Sequence, residues 1–151
     1  MMVAMAILGW AHVTLTVTDH DRSVGWYEQV LGFEPTATQH RPSWVRTLCM
    51  HRDGSAILVL QQHLPGAVER FDERRPGLDH LALGVATRTE LEEWQERLAE
   101  LEEWQERLAE LGVDYSPIAD AGRGGLALSF RDPDGIALEL FHRPQNAYEG
   151  D

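Results

Sequence analysis

The sequence predicts an α+β fold made of two paired βαβββ modules. Three observations predict it. The order strand–helix–strand–strand–strand can be read twice along the chain. Landmark residues recur at a steady distance: His12 and His80 are 68 apart, as are Trp26 and Trp94. Leu31-Gly32 and Leu111-Gly112 are 80 apart, Asp53-Gly54 and Asp134-Gly135 are 81 apart, and Leu60 and Leu140 are 80 apart. The offset grows by 12 inside the second helix, and ten of those residues are an identical tandem copy, LEEWQERLAE at 91–100 and again at 101–110.

The first element is a strand over residues 11–17 (AHVTLTV), where Val and Thr alternate. The apolar start, MMVAMAILGW, lacks a basic leader and reads as the approach to that strand, not as a signal peptide. Asp19 and Asp21 offer caps for a helix striped by Val24, Tyr27 and Leu31 and stopped by Gly32. Residues 33–38 and 44–51 follow as strands, and Arg52-Asp53-Gly54 turns the chain into another at 55–60 (SAILVL). A polar connection with Pro65 and Pro76 then spans residues 61–78. It divides one domain, residues 1–151, into module one, about residues 7–63, a linker of about 64–78, and module two, about 79–143.

In module two, residues 80–85 (HLALGV) form the matching strand, and Thr89 with Glu92 makes a capping box for a helix that runs to Gly112. Strands are expected at 113–117 and 126–131. Asp132-Pro133-Asp134-Gly135 supplies a turn, and 136–141 is the last strand. The duplicated decamer belongs to this helix and is not an architectural repeat. Two copies of ten residues make no solenoid, and the apolar steps from Leu91 through Leu111 break the heptad that a coiled coil sustains. Ten residues turn a helix by about 1000°, which leaves the apolar stripe roughly 80° out of phase and adds about 15 Å. One overlong helix projecting from the body is expected, with the stripe of one copy on the sheet and Trp94 or Trp104 exposed; bulging of one copy is the alternative. Such a stripe also offers a contact for a homodimer.

Composition narrows the function classes. A length of 151 residues with 43% hydrophobic content carries a core. The net charge of −12, and the lack of any cluster of basic residues, argue against nucleic-acid or anionic-membrane binding. No stretch of 18 apolar residues exists to span a membrane. A single cysteine, Cys49, makes no intrachain disulfide and suits a reducing cytoplasm. It has no basic partner to activate it, so it reads as structural. No nucleophile elbow, phosphate loop or paired CxxC is present.

His12 and His80 occupy equivalent places in the two modules, and Glu139 lies mid-strand between Leu138 and Leu140. A carboxylate there is costly to bury unless it is paired or bound to metal. Two imidazoles and one carboxylate suit a divalent first-row metal with open positions. A strand histidine is more often packed or surface-exposed than a ligand; the symmetry between the modules is what raises these three.

AHVTLTV at 11–17, DRSVGWYEQVLGFEP at 21–35, LDHLAL at 79–84 and DPDGIALELF at 132–141 resemble the vicinal oxygen chelate superfamily. That group holds glyoxalases, extradiol dioxygenases, fosfomycin-resistance thiol transferases, methylmalonyl-CoA epimerases and bleomycin-binding proteins. The likeness covers residues 7–143. It implies curved sheets forming a cup around one divalent metal ion (Fe, Mn, Zn or Ni), with the ligand positions on His12, His80 and Glu139. Val59 stands at the fourth position, where glyoxalases and epimerases carry a carboxylate or Gln. Gln61, two residues on, faces the same side. The His/His/Glu remainder is that of extradiol dioxygenases and fosfomycin-type transferases. Ser129, however, replaces the Tyr of the dioxygenase pattern, no His lies between Glu90 and Glu139, and the chain has no lysine for a phosphonate.

Thr14, Arg46, Val59, Gln61, Ser129 and Phe130 are the expected substrate contacts. Arg46 shares a strand face with Trp44 and Leu48 and would clamp a carboxylate or phosphate; an arginine at a wet sheet edge is the plainer alternative. Arg123 reads as part of a flexible solvated loop, Phe71 as a linker anchor or cup cover, and His51, His63 and His142 as surface residues. The expected function is a metal-dependent enzyme acting on a small molecule that chelates through adjacent oxygens. The alternatives are a non-catalytic drug- or metabolite-binding protein, with Trp10 and Trp44 left to line its pocket, and a scaffold that uses the long helix.

Overall fold

A computed structural model describes residues 4–51, 54, 56–108 and 113–144, with the side chains of 103–108 left out of the description. The elements are β1 (Val13–Thr16), α1 (His20–Leu31), β2 (Phe33–Arg41), β3 (Trp44–His51), β4 (Ile57–His63), β5 (Leu81–Val85), α2 (Arg88–Leu108), β6 (Tyr115–Gly122), β7 (Gly125–Arg131) and β8 (Ala137–His142). They form two four-stranded sheets, ordered β1-β4-β3-β2 and β5-β8-β7-β6. The predicted α+β pattern of two βαβββ modules is therefore what the chain adopts. The chain divides into two compact units, Met1–Ala67 and Val68–Asp151, and the division falls inside the polar linker.

In the first unit β1 runs parallel to β4, from Val13 opposite Leu58 to Thr16 opposite Gln61. The rest of the sheet is antiparallel. Alternation sorts the side chains. Val45, Thr47 and Cys49 of β3 and Leu58 and Leu60 of β4 are buried. They lie beneath α1, which packs on β2, β3 and β4 through Trp26, Tyr27, Val30 and Leu31. Burying a side chain of this size contributes ~1.5–3 kcal/mol before the entropy of ordering it is deducted. The caps of α1 are those the sequence predicts. The Asp19 carboxylate accepts from the Arg22 N–H, and Gly32 closes the helix at φ 76, a left-handed conformation that suits glycine.

The second unit repeats the scheme, with β5 parallel to β8 and α2 on the sheet. Leu91 and Leu98 of α2 are fully buried, as are Val113, Leu128 and Leu138 of the same unit. The first decamer thus supplies the sheet-facing stripe, with Trp94 half-buried. The helix continues unbroken into the second decamer as far as Leu108, as its run of strong helix formers favours. Trp104 and the expected end at Gly112 lie outside the described side chains and residues.

Several local readings need correction. β2 runs on to Arg41, past the expected end at 38, and β4 covers Ile57–His63 instead of 55–60, taking in residues read as the start of the polar connection. The capping box is Thr87 with Glu90, not Thr89 with Glu92: Thr87 Oγ1 accepts from the Glu90 N–H at 3.1 Å, and Glu90 Oε2 accepts from the Thr87 N–H at 3.2 Å. Both pairs satisfy the S/T-x-x-E spacing, and the strand ending at Val85 leaves only the earlier one at the helix start. The sixth strand runs from 115 to 122, past Pro117. The register shifts between Ser116 and Ala119, so the proline's missing N–H costs no ladder bond on this edge strand. Arg123 is the tip of a two-residue hairpin, with φ 50 at Arg123 and 75 at Gly124, not part of a longer loop.

Candidate functional site

In the second unit β5 pairs with β8 so that Ala82 stands opposite Glu139, and β7 with β8 so that Ser129 does. Alternation then aims Ser129 and Glu139 away from the core side occupied by Leu128, Phe130, Leu138 and Leu140. The Ser129 hydroxyl reaches Glu139 Oε1 at 3.5 Å. His80, one residue before β5, brings Nε2 to 3.5 Å from Glu139 Oε2.

The other face of the imidazole is fixed. Nδ1 lies 2.7 Å from Asp79 Oδ1. A carboxylate only accepts, so Nδ1 carries the proton it donates, and the neutral ring presents the Nε2 lone pair to Glu139. In that neutral form two lone-pair atoms stand 3.5 Å apart, a gap that either a proton on Nε2 or a metal cation would bridge. The imidazole pKa is raised accordingly, first by the Asp79 hydrogen bond and then by the charges of Glu139 and Asp79, against some desolvation.

The pair sits in a cavity of about 440 Å³ at the end of the sheet where β6 and β8 begin and β7 ends. Its charged lining is Glu73, Asp79, Asp114, Arg131 and Glu139 around His80, with Tyr115, Ser116 and Ser129 as neutral polar walls. Arg131 is engaged: Nη2 donates to Glu73 Oε1 at 2.7 Å and Nη1 to the Gly135 carbonyl at 2.8 Å. That hydrogen bond pulls the Glu73 carboxyl below its usual range. Glu73 is brought there by the linker, which docks on the DPDG turn through the Phe71 N–H and the Asp134 carbonyl at 3.0 Å. The turn itself is held by Asp132, whose Oδ1 accepts from the N–H groups of Asp134 and Ile136.

Two ligands about 2.1 Å from a common ion at a tetrahedral angle stand roughly 3.4 Å apart. The His80 and Glu139 donors match that separation, and Asp79 supplies the carboxylate–histidine support that metal-ligating imidazoles receive. They form a two-donor half-site. Among the described residues no group of three His, Cys, Asp or Glu side chains is gathered for an ion.

The remaining expected contacts belong to the first unit or to the core. His12 is exposed, one residue before β1. The register puts Thr14, Arg46, Val59 and Gln61 on one face of the first sheet, opposite its helix. Thr14 is exposed, Val59 is buried, and Gln61 Nε2 lies 3.5 Å from His63 Nε2. Arg46 donates to Gln39 Oε1 at 2.9 Å and stacks 4.4 Å above the Trp44 ring, so its guanidinium is already committed. Trp10 is 96% exposed. Phe130 borders the cavity, but its side chain points to the helix side, at 3% exposure.

Sequence reasoning missed Asp79, Glu73, Asp114, Tyr115, Ser116 and Arg131. Asp79 was visible as the residue before His80, and Arg131 by its parity with Ser129. Glu73 and Asp114 depend on long-range docking and carried no local signal. Also missed was a buried network in the first unit. His20 Nε2 meets Thr47 Oγ1 at 2.7 Å, Nδ1 meets Asp21 Oδ1 at 2.9 Å, and Thr47 meets Thr38 Oγ1 at 2.8 Å.

Comparison with known proteins accords with these features. Residues 9–140 match the family model of the Glyoxalase/Bleomycin resistance protein/Dioxygenase superfamily. A glyoxylase/bleomycin resistance protein/dioxygenase domain from Frankia sp. EAN1pec is 33% identical, with a TM-score of 0.79, over 92% of this chain and 100% of that one. The fosfomycin resistance protein FosX of Listeria monocytogenes, complexed with Mn(II) and sulfate, is 18% identical and shares the fold at TM-score 0.66, over 96% and 100% of the two chains. The uncharacterized protein YqjT of Bacillus subtilis (strain 168) is 26% identical over 132 residues, 85% of this chain and 94% of its own. With its two βαβββ modules and a family match across most of its length, the chain belongs to the glyoxalase/bleomycin resistance protein/dioxygenase superfamily.

Proposed function

We propose that the chain is a metal-dependent enzyme acting on a small organic molecule that binds through two adjacent oxygens. The observation that carries this reading is the facing pair, His80 Nε2 and Glu139 Oε2 at 3.5 Å, in a cavity large enough for such a molecule. His80 and Glu139 would hold one divalent ion. His12, its partner in the sequence pairing of the modules, is the proposed third ligand. The FosX neighbour, which was crystallised with Mn(II), supports a divalent ion of this type. When bound, the ion supplies Lewis-acid polarisation of the adjacent oxygens.

The chain's own residues do the rest. Asp79 keeps the His80 proton on Nδ1, so that Nε2 is free to ligate. Ser129 holds one Glu139 oxygen and leaves the other facing the histidine. Ser116 and Ser129, paired on the face that carries Glu139, offer a hydroxyl-bearing wall for substrate orientation. Thr14, Val59 and Gln61 on the first sheet are proposed as further substrate contacts.

Cobalt substitution tests this. Co(II)-loaded protein is expected to show visible absorption bands that move when a vicinal dioxygen probe such as 4-methylcatechol is added. His80→Ala and Glu139→Gln should each abolish the bands. Bands unchanged in both variants would overturn the assignment.

A further inference from the structure

The cavity's charge goes further than its donor atoms and names the class of molecule it accepts. Among the described residues, four carboxylates line it: Glu73, Asp79, Asp114 and Glu139. Arg131 is the one guanidinium among the described lining residues, and Glu73 already spans that group through both nitrogens, at 2.7 and 3.3 Å. Asp79 is taken by His80. Asp114, exposed at the start of β6 beside the half-buried Tyr115 ring, has no ion pair among the described residues. Among the described lining groups the negative charges outnumber the positive ones even with a divalent ion on Glu139 and His80. A cleft lined by one sign of charge concentrates ligands of the other and opposes its own sign.

We infer that this cavity takes a neutral or cationic small molecule and rejects anions, with Asp114 seating the cation and Glu73 keeping Arg131 from serving as an anion clamp. The inference rests on the proposed site for its location but not on the presence of the ion. The sulfate-bound neighbour shares only the fold, and its anion is no guide to this cavity.

The test uses three catechols that chelate alike and differ in side-chain charge: dopamine, 4-methylcatechol and 3,4-dihydroxyphenylacetate. Each is titrated anaerobically by calorimetry into the Zn(II)-loaded full chain. Dopamine is expected to bind roughly tenfold or more tighter than the acid, the size of one unscreened surface-distance charge interaction. Asp114→Asn should remove most of that ratio, and Glu73→Gln, by freeing Arg131, should tighten the acid. Comparing ratios between parent and variants cancels the intrinsic chelating strengths. Equal affinities, or a preference for the acid, overturn the inference.

A second titration separates it from the metal reading. Benzyltrimethylammonium and phenylacetate are added to metal-free protein while the amide resonances of Tyr115 and Ser129 are followed. Shifts from the cation alone support the inference even if no catechol binds the Zn(II)-loaded chain, an outcome that would sink only the metal site. Equal shifts, stronger shifts from phenylacetate, or none from the cation overturn it.

Discussion

His20 and His80 are each held by an adjacent aspartate, and what faces the second ring nitrogen separates them. His20 turns Nε2 to the buried hydroxyl of Thr47 and is satisfied in the core, whereas His80 turns it to a carboxylate in a cavity. In metal-free protein the His80 pKa, raised chiefly by Asp79, should titrate above an ordinary imidazole in a proton NMR experiment. Asp79→Asn should bring it down. The sign for stability follows: the protonated ring stabilises the metal-free fold fully below the unfolded pKa, and that contribution is lost as pH rises through the raised folded value. A bound ion competes with the same proton, so its affinity should strengthen as pH rises through that value. Losing Asp79 should weaken the ion by about 10–100-fold, the usual effect of removing such a support. An Asp79→Asn protein with unchanged titration and affinity would contradict this role. Cys49 is the opposite case. Burial, then the charge of Glu28, pushes its thiol up to about 11. Folded protein should therefore resist a thiol reagent at pH 8 and react promptly once denatured; fast labelling of the folded chain would contradict its burial.

The two helices show how far an element can be read from its letters. For α1 the Asp19 cap and the Gly32 stop agree with the structure, because each acts within a few residues; of the predicted stripe Tyr27 and Leu31 are buried, whereas Val24 is only half-buried and Trp26 and Val30 complete the buried face. For α2 the capping residue slipped by two, since two overlapping Thr/Glu pairs fit one motif and only the end of β5 chooses between them. Thr87→Ala should cost about 1 kcal/mol in urea unfolding and Thr89→Ala much less; the reverse order would restore the rejected cap. Leu98→Ala, at a fully buried position, should cost ~2–5 kcal/mol. Deleting 91–100 or 101–110 yields one and the same sequence, in which identical side chains refill the Leu91 and Leu98 sites. That protein should fold and keep its oligomer size. A changed size on gel filtration would make the long helix an assembly contact. Strands β3, β7 and β8 were legible to within a residue because alternation is local, whereas the extent of β6 is set by pairing with β7 across a hairpin.

At the scale of the molecule, internal symmetry was the strongest signal in the sequence. A 68-residue offset linked His12 to His80, and the same modules emerge as two sheets with one strand order. The candidate site was half legible. Ser129 and Glu139 are register partners on neighbouring strands, and His80 immediately precedes the strand beside them, so pattern alone could gather them. Glu73 and Asp114 reach the cavity through a docked linker and the start of an edge strand, which no periodicity encodes. The acidity of the chain, −12 with no lysine, has a local expression in that cavity. The described helices include none long and apolar enough to cross a membrane. Whether His80 and Glu139 hold a divalent ion is read from elemental analysis of protein purified without chelator, beside His80→Ala. Near-stoichiometric metal is expected in the parent and its loss in the variant. No metal in the parent, even after anaerobic reconstitution with Fe(II), Mn(II), Ni(II) and Zn(II), or equal metal in both proteins, would contradict it.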